Sequence, residues 1–412
     1  MFGFVTSVLT ARWLGPEGKG TLSALSFLGD VLFLYVCLMG MGEAAIVLIG
    51  RKGVALQRAV SASLVPLLLS GSIGVAALFV AAVPAEWSGI LGAVALQAAI
   101  LVLALYMNLF HDVLNSRERF GLTSALATAR VAVTASLTAV LLAFTPLEIE
   151  GAVAAALCGV AVEVIGQVFA LRRMGISIRP VWDRAYLVRA AKLGIAIQAA
   201  YLLMAMSQRV DQLLVYSLVG PVEGGLYAVA LTLGLLPGFV PGALSQASFP
   251  RLAYTQDSEL WSLTAQIVRV GLIGGVVTAS VLATAVPFLT PIIFGESYAA
   301  SITPALILMV GSVIWSVQWI LARAWAARGR PTLLISSFLA SVLLMLLLDI
   351  ALIPVYEMAG AAVASVAGSL AGLSVCLVAY HRRRTGFVFV ELIPGRQDLR
   401  LLAEHARGVF RG

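Results

Sequence analysis

Charge is what this sequence lacks most. Of its 412 residues only 11% are Asp, Glu, Lys or Arg, against roughly 25% in an ordinary soluble domain. Such a chain cannot cover a globular surface with polar side chains, which excludes a soluble globule. Cysteine and histidine are scarce as well, with three of each. Cys37, Cys158 and Cys376 lie far apart in apolar stretches. Neither a disulfide framework nor a thiolate metal site is expected. His111, His381 and His405 cluster with no other ligands, so no metal is expected. Gly18-Lys19-Gly20-Thr21 lacks the spacing of a phosphate-binding loop. There is no nucleophile elbow, zincin motif or dinucleotide fingerprint. The reading is a protein without catalytic residues, cofactor or nucleic-acid partner.

Apolar sequence, by contrast, is abundant. Ala, Val, Ile, Leu, Met, Phe, Trp, Tyr and Cys make up 61% of the chain, with 38 glycines besides. Mean hydropathy is +1.01. Stretches long enough to cross a bilayer recur along the whole length, and twelve are counted between residues 1 and 380. They are read as helices, because backbone polar groups in lipid need partners within their own segment. The expectation is an all-α polytopic membrane protein. The amino terminus has no basic stretch ahead of its apolar run and is read as part of the mature chain.

Lys and Arg set the expected orientation. Alternate connections, together with the tail, hold 22 of the 27 basic residues. The opposite connections hold two, Arg12 and Lys19, and three more, Arg130, Arg209 and Arg269, lie within spans. By the positive-inside rule both termini face the cytoplasm. The tail from residue 385 to 412 is basic, and 396–407 could lie as a short helix at the membrane surface.

Three weak matches recur about half a chain apart. Leu14-Gly15-Pro16 with Gly20 pairs with Val219-Gly220-Pro221 with Gly225. Arg117 and Arg119 pair with Arg328 and Arg330, and Glu148-x-x-Gly151-Ala152 pairs with Glu357-x-x-Gly360-Ala361. Their common order predicts two six-helix bundles in the same orientation, 1–180 and 181–384, joined by the basic 172–191 connection. Span one has only 14 residues before its Gly-Pro, roughly 21 Å of helix. That length predicts a truncated first helix, with about ten to fifteen residues expected ahead of Met1 to reach the roughly 30 Å of a hydrocarbon core.

Charged and polar groups within spans are costly and mark interior or aqueous positions. On span seven, Gln198, Tyr201, Gln208/Arg209 and Gln212 recur at three- and four-residue intervals, forming one polar stripe. Such a stripe fits either a cavity wall or an Arg209–Asp211 packing network. Arg130 and Arg269 lie within snorkelling reach of a boundary. Asp30 and Glu163 join Asp211 as candidates for proton or sodium coupling. Glu43 and Asp349 lie nearer span ends, where a polar cap explains them equally well. Gln97, Asn108 and Gln318, with Trp315 and Trp319, offer amides and aromatic faces for sugar. Gly238-x-x-x-Gly242 and Gly368-x-x-x-Gly372 would allow close helix contact, and Pro237 with Pro241 should break span eight.

One run of residues is more specific. Ala11-Arg12-Trp13-Leu14-Gly15-Pro16-Glu17-Gly18-Lys19-Gly20 resembles the turn after the first helix of oligosaccharide flippases in the MOP superfamily. Val219-Gly220-Pro221 with Gly225-Leu226-Tyr227-Ala228-Val229-Ala230, then Phe249-Pro250-Arg251-Leu252, Phe294-Gly295-Glu296-Ser297-Tyr298 and Ile353-Pro354, are similar to later parts of the same family. The resemblance covers nearly the whole chain. It implies a pair of six-helix bundles of the MATE/MOP kind in a bacterial or archaeal inner membrane. It also implies a polyprenyl-pyrophosphate-linked glycan as substrate, H⁺ or Na⁺ coupling, and a polysaccharide polymerase and glycosyltransferases as partners. Arg209 then suits the pyrophosphate, with Arg130 and Arg269 as helpers, Gln198, Tyr201 and Gln212 beside them, and Arg12 at an outer gate. A multidrug exporter of the same fold, a lipid II flippase, or a membrane glycosyltransferase or ligase are the alternatives.

Overall fold

The computed structural model describes residues 2–52, 54–83, 87–255, 257–327 and 332–383, with 392 and 395. The basic tail, including the surface helix expected at 396–407, lies outside the described residues. Among the described residues the protein is helical throughout, without strands. Ten helices among the described residues are long and apolar enough to cross a membrane.

Two of the ten fold back on themselves. Helix α1 (Phe2–Ser26) is interrupted at Gly15, whose φ of 65° only glycine adopts without strain. Lys19 Nζ then reaches Thr10 Oγ1 at 2.9 Å and Ser7 Oγ at 3.2 Å. In a straight helix residues 7 and 19 would be about 18 Å apart. Lys19 is therefore buried between the arms of a hairpin rather than placed in an open connection. The long helix at the other end of the chain, Thr332–Arg383, breaks at Glu357 in the same way. A Cβ on Gly368 would meet Ser341 O at 2.7 Å and Met345 Cβ at 2.9 Å, so the arms lie side by side. With both hairpins divided, the helices accommodate the twelve crossings expected from hydropathy.

The first compact unit comprises Met1–Met206 with Gly220–Gly225. After α1 comes a π-helical stretch, Phe27–Phe33, then α2 (Leu34–Leu38) and α3 (Met41–Lys52). Met39 and Gly40 both take positive φ, 51° and 66°, and separate α2 from α3. Helices α4 (Leu56–Ala82), α5 (Leu91–Asn115), α6 (Phe120–Phe144) and α7 (Glu148–Arg173) complete the bundle. Leu48, Val60, Leu101, Leu105 and Val113 pack its core, together with Leu171, Ile176 and Tyr186.

The connection after α7 is pinned to the start of α4. Gln57 pairs with the Ser177 backbone twice, donating to its carbonyl and accepting from its N–H, each at 2.6 Å. Val181 N–H donates to Ser61 O at 3.0 Å. Arg58 Nε meets Asp183 Oδ2 at 2.5 Å, and Asp183 Oδ1 accepts from Tyr186 N–H at 3.0 Å. The Arg58 guanidinium, helped by that amide, holds the Asp183 carboxyl below the usual carboxylate range. Helix α8 (Arg184–Leu218) follows. Its first part stays on this unit, with Gly194 against the Gly40 backbone and Gln198 Nε2 donating to Tyr35 O at 2.7 Å. Neither glycine has room for a Cβ.

The second unit comprises Ser207–Val219 and Leu226–Gly412. Helix α9 (Pro221–Gly234) ends ahead of a single 3₁₀ turn, Leu236–Gly238, before α10 (Phe239–Tyr254). Pro237 lies in that turn, and its missing donor explains the expected break. Helices α11 (Asp257–Phe294), α12 (Ile302–Ala327) and α13 (Thr332–Arg383) form the rest. Gly372 lies against Ser341 and Gln318, so the Gly368–Gly372 face does allow close approach. Gly238 and Gly242 do not: a Cβ on Gly242 would meet nothing within 4 Å, and Gly238 has ordinary van der Waals room. The helix break places the two on different local axes, so four-residue spacing no longer makes a common face.

Candidate functional site

Unit 1 contains a cavity of about 500 Å³. Its polar lining comes from the π-helical stretch and from α3, α5, α6 and α8: Asp30, Glu43, Asn108, Asp112, Arg130, Thr134, Gln198 and Tyr201. Ile100, Ala104, Met107, Ala156 and Val160 form its apolar wall. Ala104, Asn108 and Asp112 follow one another at four-residue spacing and so share one face of α5.

Each polar group has a local reason for its position. Asp30 lies in the π-helical stretch, where the extra residue per turn redirects side chains, a frequent feature of functional helices. Its Oδ1 accepts from Gln97 Nε2 at 2.6 Å, and Gly29 lets that amide approach the backbone. Arg130 Nε donates to Glu163 Oε2 at 2.7 Å, while Gln167 Nε2 donates to Glu163 Oε1 at 3.2 Å. His111 Nδ1 is 3.9 Å from that same Oε1. Glu163 is 2% exposed, so the guanidinium at the cavity wall stands in front of a buried counter-charge. On α3 and α5, Asp112 Oδ2 lies against Gly42, one residue from Glu43. Gln198 is 5% exposed, and its Oε1 has no hydrogen-bond partner.

Unit 2 holds a second acidic cluster, closed off from solvent. Tyr227 O–H donates to Asp211 Oδ2 at 2.6 Å, and Gln212 N–H donates to Asp211 Oδ1 at 2.9 Å. Asp211, Tyr227 and Asp349 are all 0% exposed. Neither carboxylate oxygen of Asp349 has a hydrogen-bond partner. Asp349 is near enough for its charge to act on both Asp211 and Tyr227.

The polar stripe on α8 is thus divided. Gln198 and Tyr201 line the cavity of unit 1, whereas Gln212 is buried in unit 2 and Arg209 is exposed on it. Arg130 and Asp30 reach the cavity, and Glu163 lies behind Arg130. Arg269 is half-buried on α11, and Arg12 is exposed beside the Gly15 kink. Of the three arginines grouped for pyrophosphate, Arg130 lines the cavity of unit 1, and Arg209 and Arg269 belong to unit 2.

The structure corrects several side-chain readings. Gln97 and Gln318 are 1% and 0% exposed and are bonded to Asp30 and Ser341, so neither is open to sugar. Trp315 stacks on Trp319 at 5.8 Å, and both rings pack on Phe338. Glu43 and Asp349 are not caps at span ends, since one lines a cavity and the other is buried. Asp112, Tyr227 and Thr134 were not anticipated. The four-residue repeat on α5 is the signal that could have identified Asp112.

Comparison with known proteins adds the fold. A lipid II flippase in an inward closed conformation superposes with a TM-score of 0.77 at 11% identity, covering 95% of this chain and 86% of that one. An inward-facing multidrug resistance MATE transporter of the MOP superfamily gives 0.69 at 12% identity, covering 93% of each chain. A MOP superfamily transporter from Pyrococcus furiosus gives 0.61 at 14%, covering 93% and 92%. This is the MATE/MOP fold. No family model and no curated protein matches the sequence. The fold's neighbours are transporters and flippases, and the chain is a multi-pass membrane protein of that architecture.

Proposed function

We propose that this chain flips a polyprenyl-pyrophosphate-linked oligosaccharide from the cytoplasmic to the outer leaflet of a bacterial or archaeal inner membrane. The observation that carries the reading is the lining of the unit 1 cavity. Carboxylates, amides, a phenol and one guanidinium around an apolar floor are the groups that hold hydroxyl-rich headgroups by paired hydrogen bonds. The likeness to a lipid II flippase supports the same class of cargo. The two six-helix halves, 1–180 and 181–384 by the sequence repeat, are the bodies that alternate access, the compact units dividing them within α8 at Ser207, with both termini cytoplasmic. The lipid tail stays in the bilayer, and no bond is made or broken. Glycosyltransferases then supply the substrate, and a polymerase consumes it.

Arg130 at the cavity wall, with the exposed Arg209 and with Arg269, supplies positive charge toward the pyrophosphate. Arg12 serves the outer gate. Coupling to H⁺ or Na⁺ belongs to Asp211 with Tyr227 and Asp349. A buried carboxylate without hydrogen bonds is stabilised by taking up a cation or a proton. Asp30 and Glu163 are the corresponding acids of unit 1. A second reading, export of organic cations, is favoured by one observation: Asp30, Glu43 and Asp112 all line the cavity.

The test is transport of defined lipid-linked glycans by the purified chain in proteoliposomes, with and without an ion gradient. Arg209→Ala, and the paired change Arg130→Met with Glu163→Met, should slow flipping while leaving protein level and helicity intact. Undiminished flipping by both would contradict the assignment. Uptake of organic cations without glycan movement would select the second reading.

A further inference from the structure

We propose that the headgroup carried by this cavity bears a free primary ammonium, as on an unacetylated amino sugar, and that Glu43, Asp112 and Gln198 receive it. The inference rests on the flippase reading and names the substrate class for the same site.

Three carboxylates, Asp30, Glu43 and Asp112, line the cavity beside a single guanidinium. That guanidinium, Arg130, donates through its Nε to Glu163 at 2.7 Å, so only the rest of it is left for a ligand. Asp30 is likewise engaged by Gln97 at 2.6 Å. The acidic groups of the cavity therefore outnumber its one basic group, and they gather where Asp112 Oδ2 lies against Gly42, next to Glu43. Glu43 is near enough for its charge to act on Asp112, and a cation between two acidic groups relieves their repulsion.

A second observation comes from α8. Gln198 is 5% exposed and lines the cavity, its Nε2 is committed to Tyr35 O, and its Oε1 has no partner. A buried acceptor without a donor is costly unless a ligand supplies one. The site thus offers acceptors from Glu43, Asp112 and Gln198. A primary ammonium is their complement, with three N–H donors and no acceptor. An N-acetylated sugar removes the charge and places a carbonyl oxygen against carboxylates. The cavity volume of about 500 Å³ lies within the range of small-molecule sites, roughly 300–1,000 Å³.

A free amine solute has the same ammonium chemistry as an amino sugar, so the experiment separates the two sources. The full chain is reconstituted with a polyprenyl-pyrophosphate disaccharide carrying one free amine, with its N-acetylated twin, and separately with a water-soluble fluorescent primary amine. The expected result is that the free-amine glycan moves at least about tenfold faster than its twin, the effect of one charge-assisted hydrogen bond in a desolvated site. Glu43→Gln with Asp112→Asn should erase the preference, and Gln198→Leu should reduce it. Equal rates for the twins in the unaltered protein overturn the ammonium assignment and leave the flippase reading standing, whether or not any variant folds. A preference that survives the double change overturns it too. Uptake of the soluble amine with neither glycan moving, or movement of none of the three, overturns the flippase reading and this proposal with it.

Discussion

Each compact unit holds an acidic cluster, and the two are built in opposite ways. In unit 1, Asp30, Glu43 and Asp112 stand around an open cavity, with a guanidinium and amides among them. In unit 2, Asp211 and Asp349 are fully buried, and the Tyr227 hydroxyl donates to Asp211. Polar groups in a spanning segment therefore serve two ends. Around room for a headgroup they make a recognition surface. Without that room they are packed away from solvent, as Asp211 and Asp349 are. On this difference rests the proposal that cargo is held in the first unit and coupling in the second.

The largest break in that comparison would come from forcing α8 away from the Met39–Gly40 turn of unit 1. Gly40 has φ 66°, and its missing Cβ leaves space for the Gly194 backbone. Gly40→Val should cost about 3 kcal/mol or more, combining backbone strain with overpacking. Thermal denaturation in detergent should show a clear drop in midpoint, while Gly121→Ala, with nothing within 4 Å, should leave it near that of the parent.

The next effect is electrostatic. Glu163→Leu leaves the Arg130 guanidinium without its counter-charge. Breaking a buried pair costs about 3–5 kcal/mol. Arg130 is 35% exposed, and solvent screening reduces the expected loss to about 2 kcal/mol. Adding Arg130→Met should recover part of it in the same denaturation experiment.

Unit 2 should respond differently to its two acids. Tyr227→Phe removes the hydroxyl donor to Asp211 and should destabilise by about 1.5 kcal/mol. Asp349→Asn loses no hydrogen bond, so the thermal midpoint should hold or rise while flipping stops responding to an imposed ion gradient. A fall in stability together with intact gradient response would reverse the roles given to the two clusters.

The smallest effect belongs to the connection pinned on α4. Asp183→Asn removes the partner of Arg58 and should speed hydrogen exchange at the Ser177 and Val181 amides, with little change in global stability. Because the folded Asp183 titrates below the ordinary carboxylate value, its contribution is complete above that value. It is lost as pH falls through the lowered one. The protection factor at these amides, taken relative to the intrinsic exchange rate at each pH, should therefore fall on acidification in the parent and not in the Asn variant.

Much of the fold was legible in the sequence, because hydropathy and helix-breaking residues act locally. The apolar stretches, the Gly15-Pro16 turn and the Pro237 interruption follow from bilayer thickness and from backbone chemistry alone. The Glu357 turn carries no glycine at its bend, yet the repeat with Glu148 marks its position, and Glu148 also takes positive φ. The site was less legible, since burial depends on which helix lies opposite. Glu43 and Asp349 have similar positions near span ends, but one meets a cavity and the other a packed interior. Gln97 looked like a sugar ligand until Asp30 took its amide. The stripe on α8 was visible by its spacing, and its division at Ser207 was not, because spacing does not report where one compact unit gives way to the next.

Labelling a single cysteine at position 108 tests the central claim most directly. In a background lacking Cys37, Cys158 and Cys376, Asn108→Cys should react with a small water-soluble thiol reagent, and a bound lipid-linked glycan should slow that reaction. Asp349→Cys should not react in either condition. A position 108 that is inert, or that reacts equally fast with and without the glycan, would contradict the account of unit 1 as the place where cargo is held.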